Sequence, residues 1–480
     1  MYETLSVNRY LAVLFADLEE HSTQWQVLPR SRMVTLVAEY RYIAESLAGL
    51  YGSVYREWAG DGHMFLFDSA DTAAQFGLRL IDGWRRSSDQ SPALAELPHL
   101  PLRLGCHFGE CTPIADRDGW IGRANAIAKR VESEAEPDCF YVTETVLDLL
   151  DLPLYVYEQL GARRLKGDHV SERTLYQLLS FDPAALDSKP PESLAAEDWF
   201  RKALTLLETP AENSDEEERC WLEALRLRPE FADAHNNLAV LLHRRGRERE
   251  AAHHYQEALR ARPDYPEAHF NYAAMLAARG HAPGAAEHFR EALELRPDYV
   301  DAHHGYASLL ALQGEGDEAE AQYREALRLR PHDARVHNDL AVLLDRVGRS
   351  SESAEHYREA LLLDPDAPET HYNYALLLED RGDRAGAEDN YRAAIRLWPE
   401  YGEAHNNLAI LLQEAGDLVR AEQHFRSALE ARPDDPETHY NFGLLLKRAG
   451  NLEDAQRHFR TAYELAPDVP AFRSALDTPS

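Results

Sequence analysis

The chain has 480 residues, with 51 Lys and Arg against 83 Asp and Glu and a formal charge of −32. That length exceeds one ordinary core, so two or more domains are expected. The acidic balance argues against broad binding to nucleic acid or anionic membranes, and no stretch is long enough to span a bilayer. Four cysteines without a CxxC pair fit a reducing cytoplasm. The first ten residues lack a basic start followed by an apolar core, so no signal peptide is read there.

In chain order, strand-like runs fall at Tyr10–Ala16, Val54–Trp58, Met64–Phe67, Leu102–Cys106 and Phe140–Val142. Helical patterns fall at Arg30–Leu50, Ser69–Arg86 and Ala124–Glu134. Strands and helices without a fixed βα rhythm predict an α+β sandwich. Asp17 closes the apolar run Leu11-Ala12-Val13-Leu14-Phe15-Ala16, and Asp61 lies in Gly60-Asp61-Gly62 before Met64-Phe65-Leu66-Phe67. Taken singly, the first is a strand-end acid and the second a hairpin turn. Taken together, two acids at neighbouring strand ends suit a pair of hard divalent cations, as used in phosphoryl chemistry on nucleoside triphosphates.

Six segments then appear in order: Val13-Leu14-Phe15-Ala16-Asp17-Leu18, Glu57-Trp58-Ala59-Gly60-Asp61-Gly62, Leu104-Gly105-Cys106-His107-Phe108-Gly109-Glu110, Gly122-Arg123-Ala124-Asn125-Ala126-Ile127-Ala128-Lys129-Arg130, Pro137 to Glu144, and Leu165-Lys166-Gly167. Over roughly residues 9–178 the chain resembles the class III nucleotidyl cyclase catalytic domain. The resemblance implies a cyclase-like, ferredoxin-like sandwich. It implies that Asp17 and Asp61, with the carbonyl of Leu18, hold two Mg²⁺ or Mn²⁺ ions. The ribose 3′-oxygen then attacks the α-phosphorus, pyrophosphate leaves, and Arg130 steadies the transition state across a homodimer interface. Two features depart from the family. Its asparagine, four residues after the equivalent of Gly122, is Ala126 here, with Asn125 one residue earlier; Asn125 reads either as a substitute catalyst or as a helix-start residue. Glu57 stands at a base-selecting position, where a carboxylate accepts from guanine N1–H and points to GTP. The second base position falls on Gly119 or Asp118, and Lys166 matches the family's Leu-Lys-Gly segment. His107 and Cys106 read as packed strand residues, since no second His or Cys completes a ligand set.

Residues 181–195, with Pro183, Pro190 and Pro191, read as a linker. Beyond it prolines recur every 34 residues from Pro229 to Pro467, glycines from Gly246 to Gly450, and aromatics from Trp221 to Phe459. That period and punctuation predict a stacked helix–turn–helix unit. Glycine permits the left-handed end of the first helix and proline stops the second. The region resembles a tetratricopeptide-repeat (TPR) array: an irregular capping unit over 196–230, then seven regular units and a tail over 231–480. Histidines at 235, 269, 303, 337, 371, 405 and 439 are too far apart to share an ion and read as packing residues. Two residues on, Asn237, Asn271, Asn373, Asn407 and Asn441 form a column, interrupted by Gly305 and Asp339. In similar superhelices this column faces the concave groove, so it reads either as amides that bond an extended peptide or as helix-surface asparagines without a ligand.

The expected protein is therefore a cytoplasmic signalling enzyme. Residues 1–180 convert a nucleoside triphosphate to a cyclic nucleotide, and the array recruits a protein partner. The alternative is a catalytically degenerate nucleotide sensor or dimerisation domain on a TPR scaffold. A fragment ending near Phe181 is expected to fold and dimerise alone.

Overall fold

The computed structural model describes residues 9–18, 30–59, 62–90, 100–113, 120–165, 172–182, 190–207 and 214–477. By its contacts the chain forms two compact units, residues 1–309 with 329–331, and residues 310–328 with 332–480. The first begins with an α/β region. Its elements run β1 (Arg9–Leu18), α1 (Arg30–Leu50), β2 (Tyr55–Ala59), β3 (Gly62–Phe67), α2 (Ala70–Gln90), β4 (Leu102–Pro113), β5 (Trp120–Ile121), α3 (Arg123–Glu134), β6 (Phe140–Thr143), α4 (Glu144–Leu147), β7 (Tyr155–Arg163) and β8 (Arg173–Phe181). The sheet order is β2-β3-β1-β4-β6-β8-β7, with β5 paired to β4. From β1 to β4 this is a split βαβ path, and among the described residues only the β4–β6 pair is parallel.

The apolar run of β1 is explained by burial on both faces. Ala12, Leu14, Ala16 and Leu18 share a core with α1 and α2, through Leu36, Tyr40, Phe76 and Trp84. Leu11 and Val13 pack with Ala124 and Ala128 of α3. A central strand covered on both faces loses the polar alternation of a half-exposed one. Helix α3 lies so close to β4 that a Cβ on Gly105 would stand 2.0 Å from the Glu132 backbone nitrogen.

Two differences from the sequence reading stand out. β4 extends to Pro113, well beyond Cys106, and β7 and β8 have no counterpart among the expected strands. Those two strands close the far side of the sheet, with register shifts at Val156/Tyr157 and Gln159/Gly161 that break the two-residue alternation. The second difference concerns independence. The core that begins in β1 continues without a break through Leu194, Trp199, Phe200 and Trp221 to Tyr255, Tyr272 and Met275. The α/β region and the first repeats therefore share one apolar core, which the idea of a separately folding fragment does not include.

The remaining helices come in antiparallel pairs. The first unit holds Ala196–Leu206 with Asp215–Leu227, Ala232–Arg244 with Glu248–Ala261, and Pro266–Ala278 with Ala282–Leu295. The second holds Ala334–Arg346 with Ser350–Leu363, Pro368–Asp380 with Arg384–Leu397, Gly402–Glu414 with Leu418–Ala431, and Pro436–Arg448 with Leu452–Leu465, closed by Pro470–Asp477. The pair Val300–Gln313 and Gly316–Leu329 carries residues of both units. The recurring glycines end the first helix of each pair at positive φ, from 72° at Gly246 to 88° at Gly416. There the Arg247 N–H reaches the Leu242 carbonyl at 2.9 Å and the Gly246 N–H reaches that of His243 at 2.9 Å. Trp221, Tyr255, Phe289, Tyr391 and Phe425 of the aromatic column are all buried between the helices. Among the described residues no helix is long and apolar enough to cross a membrane.

Candidate functional site

The antiparallel register between β1 and β3 sets Asp17 opposite Gly62, and that between β1 and β4 sets it opposite Arg103. Asp17 is buried, 7% exposed. Arg103 Nη2 donates to Asp17 Oδ2 at 3.3 Å, and Arg103 Nε lies 3.7 Å from Glu132 Oε1. Lys129 Nζ pairs with Glu132 Oε2 at 2.9 Å. A Cβ built on Gly62 would find Lys129 Nζ at 3.3 Å and Asp17 Oδ1 at 3.7 Å, so both groups converge on that glycine. The end of β1 is thus a hard carboxylate among two cations and a second acid. The sequence reading did not anticipate Arg103, Lys129 or Glu132 there; the one available signal was that Lys129 and Glu132 sit three apart on the helix carrying Arg130. Leu18 is buried at the last position of β1.

A carboxylate oxygen at a strand end suits Mg²⁺ or Mn²⁺ as a donor. Among the described residues no group of three His, Cys, Asp or Glu forms a metal cluster. Asp61, Asp118, Gly119 and Lys166 lie outside the described residues. Arg130 is half-buried on α3 and makes no ion pair or hydrogen bond among the described residues. Glu57 is exposed on β2, with the Tyr55 hydroxyl donating to it at 3.4 Å.

The Asn125 side chain is engaged locally, as a helix-start residue would be. Helix α3 begins at Arg123, and Asn125 is half-buried in its first turn. Its Nδ2 donates to the Trp120 carbonyl at 2.9 Å, and Cys111 Sγ donates to its Oδ1 at 3.5 Å. The next residue, about 100° around the helix, is Ala126, and it is exposed. Asn125 therefore ties β5 to α3, while the outward position carries a methyl group. His107 is a packed strand residue: its Nδ1 meets the hydroxyls of Thr143 at 2.8 Å and Thr145 at 3.0 Å. Burial, with the Arg173 and Arg123 charges, pushes its pKa down to about 4, so it is neutral near pH 7.

The repeat columns resolve differently along the chain. The histidines are held within their own repeats. His235 Nε2 meets the Pro229 carbonyl at 2.9 Å and its Nδ1 meets His254 Nδ1 at 2.9 Å; His405 does the same with Pro399 and His424. The asparagines bond across neighbouring repeats. Asn271 Nδ2 donates to Asn236 Oδ1 at 3.1 Å, Asn373 to Asn338 at 3.3 Å, Asn441 to Asn406 at 3.3 Å, and Asn407 to the Tyr372 hydroxyl at 3.2 Å. Gly305 interrupts the column because a Cβ there would meet the Phe289 ring at 2.9 Å.

In the first unit the groove is already occupied. Asn237 and Asn271 line a cavity of about 280 Å³ whose other wall is α1, through Arg41, Tyr42 and Glu45. The expectation that an external peptide lies along Asn237 and Asn271 is corrected accordingly: helix α1 of the same chain is there.

Comparison with known proteins bears on the repeats. Residues 236–344 match the family described as the Cilia and flagella-associated protein 70 middle TPR-like domain. Residues 338–388, 372–436 and 436–469 match tetratricopeptide repeats. The C-terminal half of the chain is a TPR array. No curated protein sequence matches the chain. Among solved structures, PilF of Pseudomonas aeruginosa is similar at 22% identity, over 44% of this chain and 95% of that one, with a TM-score of 0.41. PilW, a type IV pilus biogenesis factor, is similar at 20% identity, over 44% and 98%, with a TM-score of 0.41. The adenylyl cyclase CyaB from P. aeruginosa is similar at 21% identity, over 36% and 96%, with a TM-score of 0.34.

Proposed function

We propose that the α/β region is a nucleotidyl cyclase-type domain, converting GTP or ATP to a 3′,5′-cyclic nucleotide, and that the TPR array recruits a protein partner to it. The observation that carries this reading is the register of Asp17 opposite Gly62, the residue that follows Asp61. Strand pairing sets the backbone of the first acid beside the residue that follows the second in the sequence. Asp17, the Leu18 carbonyl and Asp61 would hold two Mg²⁺ or Mn²⁺ ions. Such ions lower the pKa of a ribose hydroxyl and neutralise a triphosphate. Arg130, with no partner among the described residues, is available to meet charge growing on the α-phosphate, and Glu57 to accept from guanine. Activity across a homodimer follows if Arg130 serves the nucleotide of the second copy. On this reading the protein works in the cytoplasm.

A second reading rests on Ala126 and on the half-buried Asn125: a site that binds nucleotide without turning it over. One assay separates the two. The full chain is incubated with Mn²⁺ and each of the four nucleoside triphosphates, and cyclic product and pyrophosphate are measured. Product from one triphosphate, reduced at least about a hundredfold in Asp61→Ala, supports the enzyme; binding without product supports the sensor. For the array, the column continues in the second unit at Asn373, Asn407 and Asn441. Peptide capture that persists unchanged in the double variant Asn373→Ala, Asn407→Ala would remove the groove as the partner site.

A further inference from the structure

Four charged side chains join α1, the β2–β3 pair and the second regular repeat. Glu45 of α1 accepts from Arg56 Nη1 of β2 at 3.2 Å, and the same Nη1 donates to the Glu45 backbone carbonyl at 3.0 Å. The other Arg56 nitrogen donates to Glu267 of the helix Pro266–Ala278. Arg296 Nη1 donates to Glu267 Oε1 at 2.7 Å and lies 3.5 Å from Glu45 Oε2. His63 of β3, 1% exposed, sets its Nε2 3.4 Å from Glu45 Oε1. Arg56, Glu267 and Arg296 keep only 10–11% of their side-chain surface.

The backbone is shaped for this approach. A Cβ on Gly49 would stand 2.8 Å from Glu267 Cγ, and one on Gly52, at φ +66°, would stand 2.4 Å from Asp233 Oδ1. Two repeat acids therefore press on glycines at the C-terminal end of α1. Burial alone would raise the Glu45 carboxyl; the His63 hydrogen bond and the Arg56 and Arg296 charges reverse that and hold it below the usual carboxylate range. Glu267 behaves alike, with burial outweighed by Arg56 and Arg296. Burial keeps His63 neutral despite Glu45, so it serves Glu45 as a hydrogen-bond donor.

Arg56 and His63 flank the two residues that join β2 to β3, one of which is Asp61. We propose that the first repeats are an internal regulator of the candidate nucleotide site: by gripping α1, Arg56 and His63 they hold the β2–β3 pair in position beside Asp17 of β1. This rests on the nucleotide-site reading for its consequence, though not for its mechanics. Breaking one partner of a buried charge network leaves the others unpaired at low dielectric, so the grip fails as a unit. Coupling of this kind is reciprocal, so ligand at the site tightens the grip. Glu267 is a positioning residue: it acts through Arg56 and Arg296.

The test is hydrogen–deuterium exchange on the full chain, followed in peptides covering 38–50, 55–59 and 62–67. Glu267→Ala is expected to speed exchange roughly tenfold or more in all three segments. In the unaltered protein, Mn²⁺ with a non-cyclisable GTP or ATP analogue is expected to slow it. Arg260→Ala, which removes the exposed partner of Glu257 in the first regular repeat, is the control and should leave β2 and β3 unchanged. If Glu267→Ala unfolds the chain, Glu267→Gln replaces it, keeping shape while removing charge. Faster exchange in α1 with β2 and β3 unaffected overturns the proposal, as does unchanged exchange throughout. If β2 and β3 loosen but no triphosphate yields cyclic product in the unaltered protein, the grip stands and the catalytic reading falls.

Discussion

The α/β region and the repeat region satisfy their buried polar groups over different distances along the chain. In the repeats the partners are close and recur. His235, His269 and His439 each bond the carbonyl of a proline six residues earlier and a histidine nineteen later. Arg262 and Arg296 each pair with an acid twenty-nine residues earlier. In the α/β region the partners are remote: Asp17 with Arg103, 86 residues away, Tyr155 with Asp71, 84 residues away, and Arg56 with Glu267, 211 residues away. Damage in the repeats should therefore stay within one unit and its neighbours. Damage in the α/β region should spread, because each buried group holds together elements that lie far apart along the chain.

The largest expected effect tests that difference by cutting. A fragment ending at Phe181 strips the shared core of Leu194, Trp199, Phe200, Trp221 and the apolar residues beyond them. It leaves the α1 face uncovered, and is expected to be insoluble or to melt without cooperativity. Removal of Pro436–Asp477 from the other end deletes one repeat and its closing helix, and should leave a cooperative, helical protein with a lower Tm. Circular dichroism melts of the two fragments decide it. A stable, soluble 1–181 fragment would show that the first repeats rest on a core complete without them.

Next come two glycines. Gly105→Ala drives a methyl group into the backbone of α3, with Glu132 N at 2.0 Å, Glu132 Cα at 2.5 Å and the Ala128 carbonyl oxygen at 2.7 Å. Neither backbone gives way cheaply, so a loss of about 3 kcal/mol is expected. Gly348→Ala meets nothing within 4 Å and pays only for its φ of +79°. About 1 kcal/mol is expected there. Urea titrations of both variants give the ratio, and near-equal losses would remove the claim that the α/β packing is the less forgiving.

These distances also explain what was legible in the sequence. The repeats could be read because proline, glycine and the aromatic return every 34 residues, each with a mechanism inside one helix pair. The central strands could be read because both faces are buried, which makes the runs continuously apolar. β7 and β8 could not: Val156 and Tyr157 are exposed, and the register shifts erase the alternation that would mark an edge strand. At the candidate site the sequence offered Asp17 and Arg130, while Arg103 and Lys129 come from a strand and a helix far from Asp17 along the chain. The seam between α1 and the repeats left no trace, because Asp233 and Glu267 belong to an acidic column repeated at Asp301, Glu369 and Glu403. Only the fold shows which members of that column meet Gly52 and Gly49.

The smallest expected effect is a pH dependence summed over repeats. In each histidine pair the first ring donates Nε2–H to a proline carbonyl, so its Nδ1 is an acceptor and the second ring donates Nδ1–H to it. The pair is complete when both rings are neutral. Burial, then the neighbouring His235 and His253, push His254 down to about 4. Burial, then His405, Arg392 and Arg420, push His424 down to about 4 as well. A depressed folded pKa on a base means the unfolded chain takes up protons first. Stability is thus full above the ordinary histidine range, falls as pH drops from about 6.5 toward 4, and levels off below that. One repeat supplies its own control, since His371 Nδ1 meets Asn390 in place of a second histidine, at 2.8 Å. His254→Asn and His424→Asn should therefore fold normally. Each should remove its own share of the drop in Tm between pH 7.5 and pH 5, and the double variant should remove the sum, because the two pairs lie in separate repeats. A double variant with the full pH dependence would mean that the acid sensitivity resides elsewhere, in the carboxylates that lock the α/β region.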